Sequence, residues 1–253
     1  MKRDAEHDTF HEEIAVASID LLGVSSLLKE DSNATIAMNA CEGLVGQVVV
    51  GQHAYEHRVG DSLHIELFDR GMYFGDSIYL FADPTDPLDQ QVEKLLPLVA
   101  TVIWVGLFSQ IRQEKKRFLA RAGIAVGNLR IRTIPATPTG NVFPMGTAMS
   151  NAHQIESSQA WIGGALHSDL PSHHARPYRL PYEVSMSHIW QEEHTNQNLD
   201  AINWLKVASD DERYDETYLL RDLNTIASQQ NDARALEKWM NTASFVEANL
   251  EGA

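Results

Sequence analysis

The sequence has one cysteine, Cys41, in 253 residues, which excludes both an intrachain disulfide and a cysteine zinc cluster. Basic charge is also scarce. Lysine and arginine number 20 against 35 acidic residues, a formal net charge of −15. Duplex nucleic acid is bound by clustered Lys and Arg, and no basic stripe is present, so no duplex partner is expected. The strongly apolar run from Leu95 to Phe108 falls short of the roughly 20 residues that cross a bilayer. It contains Pro97 and Gly106 and is expected to be a buried helix. The opening residues Met-Lys-Arg-Asp-Ala-Glu-His-Asp lack the apolar core of a signal peptide. A cytoplasmic protein without membrane contact is therefore expected. No internal repeat or low-complexity tract interrupts the chain.

What remains is adequate for a core. Hydrophobic residues make up 43% and charged residues 22%, a balance that argues against disorder. Ile14 to Asp20 forms a first buried strand, and Asn33 is placed to cap a following helix. Leu63, Ile65 and Leu67 alternate with polar residues over 62–69, as in a half-buried strand. Asp69-Arg70-Gly71 supplies turn chemistry, and 73–81 returns as the second arm of a hairpin with Asp76 midway along it. After Asp83-Pro-Thr-Asp-Pro87, one long helix is expected from Leu88 to Lys116. Residues 118–126 follow as a strand, Pro135 to Gly140 as a loop, and 146–159 as a helix with Met149, Ala152 and Ile155 inward. The order βαββαβ predicts an α+β sandwich on an antiparallel sheet. Residues 171–186 are expected to form an irregular junction. Residues 187–250 are expected to be helical throughout, with Trp190, Trp204 and other apolar anchors inward.

Two aspartates stand out against this pattern. Asp20 and Asp76 each interrupt an apolar run, Ile19-Asp20-Leu21-Leu22-Gly23 and Phe74-Gly75-Asp76-Ser77-Ile78. A carboxylate at a strand end is more often a turn or cap residue. Desolvated in a strand, however, it costs several kcal/mol unless paired or bound to a cation. Two acids converging from neighbouring strands would suit Mg²⁺ or Mn²⁺, which take carboxylate oxygens together with substrate phosphates. Gly23-Val24-Ser25-Ser26 then opens a segment whose backbone N–H groups could meet phosphate. His167, Asp169, His173 and His174 match no common zinc spacing. Ser150 is outside any nucleophile-elbow setting.

Four segments in order resemble the class III nucleotide cyclase homology domain, and together they span residues 14 to about 160. Ile19-Asp20-Leu21-Leu22-Gly23 is similar to its first metal motif, and Phe74-Gly75-Asp76-Ser77 to its second. Arg121-Ala-Gly-Ile-Ala-Val-Gly127 resembles the Arg-x-Gly-Ile-x-x-Gly strand. Val142-Phe-Pro-Met-Gly146 through Asn151-Ala-His-Gln-Ile-Glu156 resembles the strand and helix that follow. The resemblance implies a ferredoxin-like catalytic domain, set at 1–170, and the irregular junction and helical extension read from the residues then occupy 171–253. It implies that Asp20 and Asp76, with the Leu21 carbonyl, hold two Mg²⁺ or Mn²⁺ ions. Leu22, Gly23, Val24, Ser25 and Arg121 would bind phosphate. Two protomers would pair head to tail, each site drawing on both. The implied reaction turns a nucleoside triphosphate into its 3′,5′-cyclic nucleotide and pyrophosphate.

The departures are as informative as the matches. Purine cyclases read the base with a Lys and an Asp, where this chain has Met72 and Phe143. Met72 offers no hydrogen-bond donor. The Asn and Arg of the later helix fall at Ser150 and Gln154, with Asn151 one residue along to substitute for the Asn. Without that Arg, another cation must stabilise the developing charge. An intact metal motif beside a rebuilt base pocket resembles the pyrimidine cyclases of Pycsar anti-phage systems, with UTP favoured over CTP. Arg70, Met72, Tyr73 and Phe143 are the candidates for base contact. The alternatives are a purine cyclase with an unusual pocket, or a module that senses nucleotide without turnover.

Overall fold

Six consecutive residues shielded on both faces, Ile14 to Ile19, mark the middle of the fold. They belong to β1 (Asp8–Leu22) of a computed structural model that describes residues 8–30, 34–59, 72–74, 76–112, 118–134, 141–171, 176–182, 199–211 and 218–250. After β1 come helices α1 (Val24–Glu30) and α2 (Thr35–Val59), then strands β2 (Met72–Phe74) and β3 (Ser77–Phe81). Helix α3 (Leu88–Ile111), strands β4 (Leu119–Ile134) and β5 (Asn141–Met145), and helix α4 (Thr147–Ser158) follow. Strands β6 (Gly164–His167), β7 (Arg179–Leu180) and β8 (Leu199–Ile202) precede the last helices, α5 (Leu205–Ser209), α6 (Leu219–Ser228) and α7 (Ala233–Asn249).

The strands form one sheet in the order β2-β3-β1-β4-β6-β8-β7, with β5 paired to the far part of β4. The expected α+β architecture is present, and its pairings are antiparallel except between β4 and β6, which run parallel. That exception follows from connectivity, because α4 carries the chain back along the sheet before β6 begins. β1 and β4 are both longer than expected, and β4 passes straight through Gly127. Their outer halves pair as an exposed ribbon, leaving the core where the register shifts between His11 and Ile14.

Other expectations need correction. The described hairpin is β2 with β3, pairing Phe74 with Ser77, so Asp76 lies in its turn and not midway along an arm. The 62–69 strand, the 135–140 loop and Asn33 lie outside the described residues. Helix α3 closes at Ile111, with Arg112 as its cap. Residues 187–250 are not helical throughout: Leu199–Ile202 is a strand that pairs with both β6 and β7. The burial pattern does not alternate, since Ala201 and Ile202 are fully buried while Leu199 and Asp200 are partly buried, so no period of two marks the strand. The 171–182 stretch contains a short 3-10 turn, Arg176–Tyr178, before β7.

Helix α3 fills one face of the sheet with Leu95, Leu98, Val99, Val102, Ile103 and Trp104. It would satisfy a membrane-spanning test by length and composition, but most of it is buried inside the fold. Its Gln91 accepts a hydrogen bond from the Ala15 amide, satisfying β1 just past the end of β3. Trp104 stacks on Trp204, and Phe245 of α7 meets both Trp204 and Trp161. Residues on either side of position 170 therefore share one hydrophobic core.

The opposite face carries α4, and two glycines of β4 let it lie against the strand. A Cβ at Gly123 would come within 2.3 Å of the Ala152 carbonyl oxygen and 2.6 Å of the Glu156 amide. One at Gly127 would meet Thr147 Oγ1 at 2.5 Å. Both neighbours are close enough that backbone must shift. Gly123→Ala is expected to lower unfolding free energy by about 3 kcal/mol, at the upper end of typical overpacking costs, in chemical denaturation monitored by tryptophan fluorescence.

Candidate active site

Asp20 lies at the end of β1, where it faces Ser77 of β3 on one side and Arg121 of β4 on the other. Ser77 Oγ donates to its Oδ1 at 3.0 Å, and Arg121 Nη2 stands 3.6 Å from Oδ2. The Leu21 amide donates to the Asp76 carbonyl at 3.0 Å, fastening the β2–β3 turn against β1. The Asp76 turn therefore lies beside the end of β1, near enough for its charge to act on Asp20. Partial burial raises the Asp20 pKa; Ser77 and Arg121 oppose the shift, and the charge of Asp76 adds to it. Asp20 and Asp76 are carboxylates at one edge of the sheet, a donor set that fits a divalent cation, since Mg²⁺ needs only one or two protein carboxylates beside phosphate. Among the described residues no cluster of three or more metal-ligating side chains occurs, so phosphate or water would supply the remaining ligands.

Gly23 follows with φ of +90°, a value readily adopted only by glycine, and turns the chain from β1 into α1. Leu22 and Val24 pack against the core. The Ser25 side chain lies outside the described set. A mostly apolar cavity of about 600 Å³ opens beside Asp76, walled by Val24 and Leu28 of α1 and by Met38, Cys41 and Val45 of α2. Its volume suits a small-molecule ligand.

Arg121 was expected to meet phosphate. In the structure its Nε donates to Glu156 Oε1 at 2.7 Å and its Nη1 to the Gln159 carbonyl at 2.9 Å. Glu156 is 1% exposed. Burial raises its pKa to about 7 against the pull of Arg121, and His153 Nδ1 lies 3.3 Å from its other oxygen. Sequence reasoning gave Glu156, Ser77 and Lys238 no role. The usable signal for Glu156 was an acid within the inward stripe of α4, next to Ile155 and four residues after Ala152. Asn151 is half-buried on the same helix.

Of the expected base-contact residues, only Phe143 has a described side chain, and it is not beside Asp20 in the same chain. Arg70 lies outside the described residues, and only the backbones of Met72 and Tyr73 are described, paired with Tyr79 and Ile78. Phe143 is 51% exposed on β5, opposite Arg132. Arg132 lies 11 residues along β4 from Arg121, roughly 36 Å at the usual rise per residue. Phe143 and Asp20 thus occupy opposite ends of the molecule. His167 is half-buried with its pKa lowered by desolvation, and His173 and His174 lie outside the described residues.

No known family profile and no curated protein matches the sequence. Solved structures do match. The guanylyl cyclase domain of the RhoGC fusion protein from the aquatic fungus Blastocladiella emersonii aligns with a TM-score of 0.52 at 13% identity, over 78% of this chain and 97% of that one. The adenylyl cyclase CyaB from P. aeruginosa aligns at 0.50 and 13% identity, over 78% and 95%. A bacterial light-regulated adenylyl cyclase gives 0.53 at 11% identity, over 80% of this chain and 53% of that one. The fold is that of a class III nucleotide cyclase domain. Within that cyclase fold, the turn carrying Asp76 and the end of β1 carrying Asp20 form the candidate active site.

The Glu156 shift has a signed consequence. Its folded pKa lies above the unfolded value of 4.5, so its favourable contribution is complete below pH 4.5 and is lost as pH rises through about 7. Glu156→Gln removes this titration. Wild type should lose on the order of 3 kcal/mol relative to the variant across that window, measured by urea denaturation at successive pH values.

Proposed function

We propose that this chain is a metal-dependent nucleotide cyclase, acting in the cytoplasm on a pyrimidine nucleoside triphosphate. The observation that carries the reading is the convergence of Asp20, Asp76 and Arg121 at one corner of a cyclase fold. Asp20 and Asp76 would hold two Mg²⁺ or Mn²⁺ ions, with the Leu21 carbonyl as a further ligand. Bound there, the ions would activate the ribose 3′-hydroxyl and neutralise charge on the departing pyrophosphate. The backbone from Leu22 to Ser25 and the Arg121 guanidinium would orient the phosphates. Glu156 and the Gln159 carbonyl hold that guanidinium in place. The apolar cavity beside Asp76 gives the nucleoside a place to leave water.

A homodimer is part of the same reading. Asp8, Phe10, Arg130, Arg132, Phe143 and Met145 sit in two adjacent cross-strand rows on the exposed ribbon. Phe10, Phe143 and Met145 are 60%, 51% and 77% exposed. Exposed large apolar side chains grouped on one surface mark an interaction face. A second copy on that face would bring its Phe143 toward a metal corner that the same chain's Phe143 cannot reach. Met145→Glu is expected to shift the protein from dimer to monomer in sedimentation-velocity runs and to lower turnover in parallel.

The pyrimidine assignment is supported by Met72 and Phe143, which stand where purine cyclases carry Lys and Asp. UTP is favoured over CTP, and the product would act as an anti-phage signal of the Pycsar kind. Incubation with each of the four NTPs and Mn²⁺, followed by chromatography, tests this directly. Cyclic UMP or cyclic CMP is expected; cyclic AMP or cyclic GMP as sole product would sink the pyrimidine claim, and no cyclic product at all would sink the enzyme claim. Asp76→Ala should reduce product at least about 100-fold, the scale of losing a group that stabilises transition-state charge, while circular dichroism stays unchanged.

A further inference from the structure

The site as described is short of positive charge. Asp20, Asp76 and Glu156 bring three carboxylates, and Arg121 is committed to Glu156 and the Gln159 carbonyl. Gln154, in the position where the resemblance expects an Arg, carries no charge. Two divalent ions at Asp20 and Asp76 would offset only part of this charge, so a triphosphate brought to this corner would still gain from a further side-chain cation.

Helix α7 places one there. Its Asn241 Nδ2 donates to the Ala160 carbonyl at 2.8 Å, and its Thr242 Oγ1 accepts from the Ile162 amide at 2.9 Å. Those contacts dock α7 on the segment that begins at Gln159, whose carbonyl holds Arg121 and whose Nε2 donates to the Ala122 carbonyl. Lys238 precedes Asn241 and Thr242 by three and four residues, so it projects from the same face of α7 one turn earlier. Thr242 Oγ1 also donates to the Lys238 carbonyl at 2.7 Å, which fixes this turn. Lys238 is half-buried, and among the described residues no carboxylate closes an ion pair with its ammonium. The charged groups around it are Arg121, Asp20, Glu156 and Arg234; its pKa is lowered by desolvation first and by Arg121 next. A partly desolvated ammonium that closes no ion pair is stabilised by an arriving anion.

We propose that Lys238 is a phosphate-binding residue of this site, delivered by α7 beside Arg121 and Asp20 to take the polyphosphate of the nucleoside triphosphate. It would supply the cation that Gln154 does not. The assignment rests on the cyclase reading above and makes α7 a working part of the active site.

Calorimetric titration of Mn²⁺-tripolyphosphate into the full chain tests it without requiring turnover. Wild type should bind, Lys238→Met should bind roughly 10- to 100-fold more weakly, as expected for losing a charged hydrogen bond, and Lys238→Arg should recover most of the loss. Thermal midpoints of the variants should match wild type; Lys238→Gln repeats the comparison should the Met variant unfold early. Wild type binding with Lys238→Met binding equally well overturns the Lys238 assignment alone. Wild type failing to bind overturns the cyclase reading, and this assignment with it.

Discussion

The buried contact between Arg121 and Glu156 holds the working corner together. A guanidinium and a carboxylate taken out of water each cost several kcal/mol, recovered only when geometry is good and the remaining donors are satisfied. Arg121 meets that condition with a close carboxylate, a backbone carbonyl and the more distant Asp20. Three elements are thereby fixed together: the start of β4, the end of α4 and the end of β1. Removing either partner would leave an uncompensated charge in a corner with little water. The position of α4 on the sheet is therefore tied to the orientation of the Arg121 guanidinium.

The molecule is polar in the architectural sense. One end of the β1–β4 ribbon carries the acids, and the other carries exposed aromatic and thioether side chains about ten residues away along each strand. Between them lies the stretch buried on both faces. A single chain thus presents two unlike half-surfaces joined by a rigid span, a layout suited to pairing in which each end meets the other's opposite.

Part of this architecture is legible in the sequence. The β1 run and the inward residues of α4 are local patterns, and each found its place, whereas Gly127, expected to follow the strand, lies inside β4. Gly123 and Gly127 have a reason that sequence reading could not supply, namely the close approach of α4 backbone to β4. Asp76 was misplaced because Met72 to Phe81 has no polar break other than the turn itself, and a strand period alone does not locate a turn of that size. Leu199–Ile202 was missed because four residues between helical stretches carry little periodic signal, and their strand state comes from partners at 165–167 and 179–180. Glu156 and Lys238 were invisible as site residues for a related reason. Each acquires meaning only from groups more than 30 positions away, and no pattern within one helix reveals that distance.

The pairing of β1 with β4 also sets an order of assembly. Asp20 meets Arg121 only after the intervening hundred residues exist, and the segment that fastens Arg121 comes later still, at Glu156 and Gln159. Helix α7 docks on that segment from near the end of the sequence described here. Contacts so far apart along the chain form slowly compared with local ones. During synthesis, which runs from the N-terminus at a few residues per second or faster, a chain that has reached only α3 holds both aspartates and Ser77 but lacks Arg121 and Glu156. The corner is completed only once α4 and α7 exist, so shorter chains would carry a sheet edge and a helix pair without it.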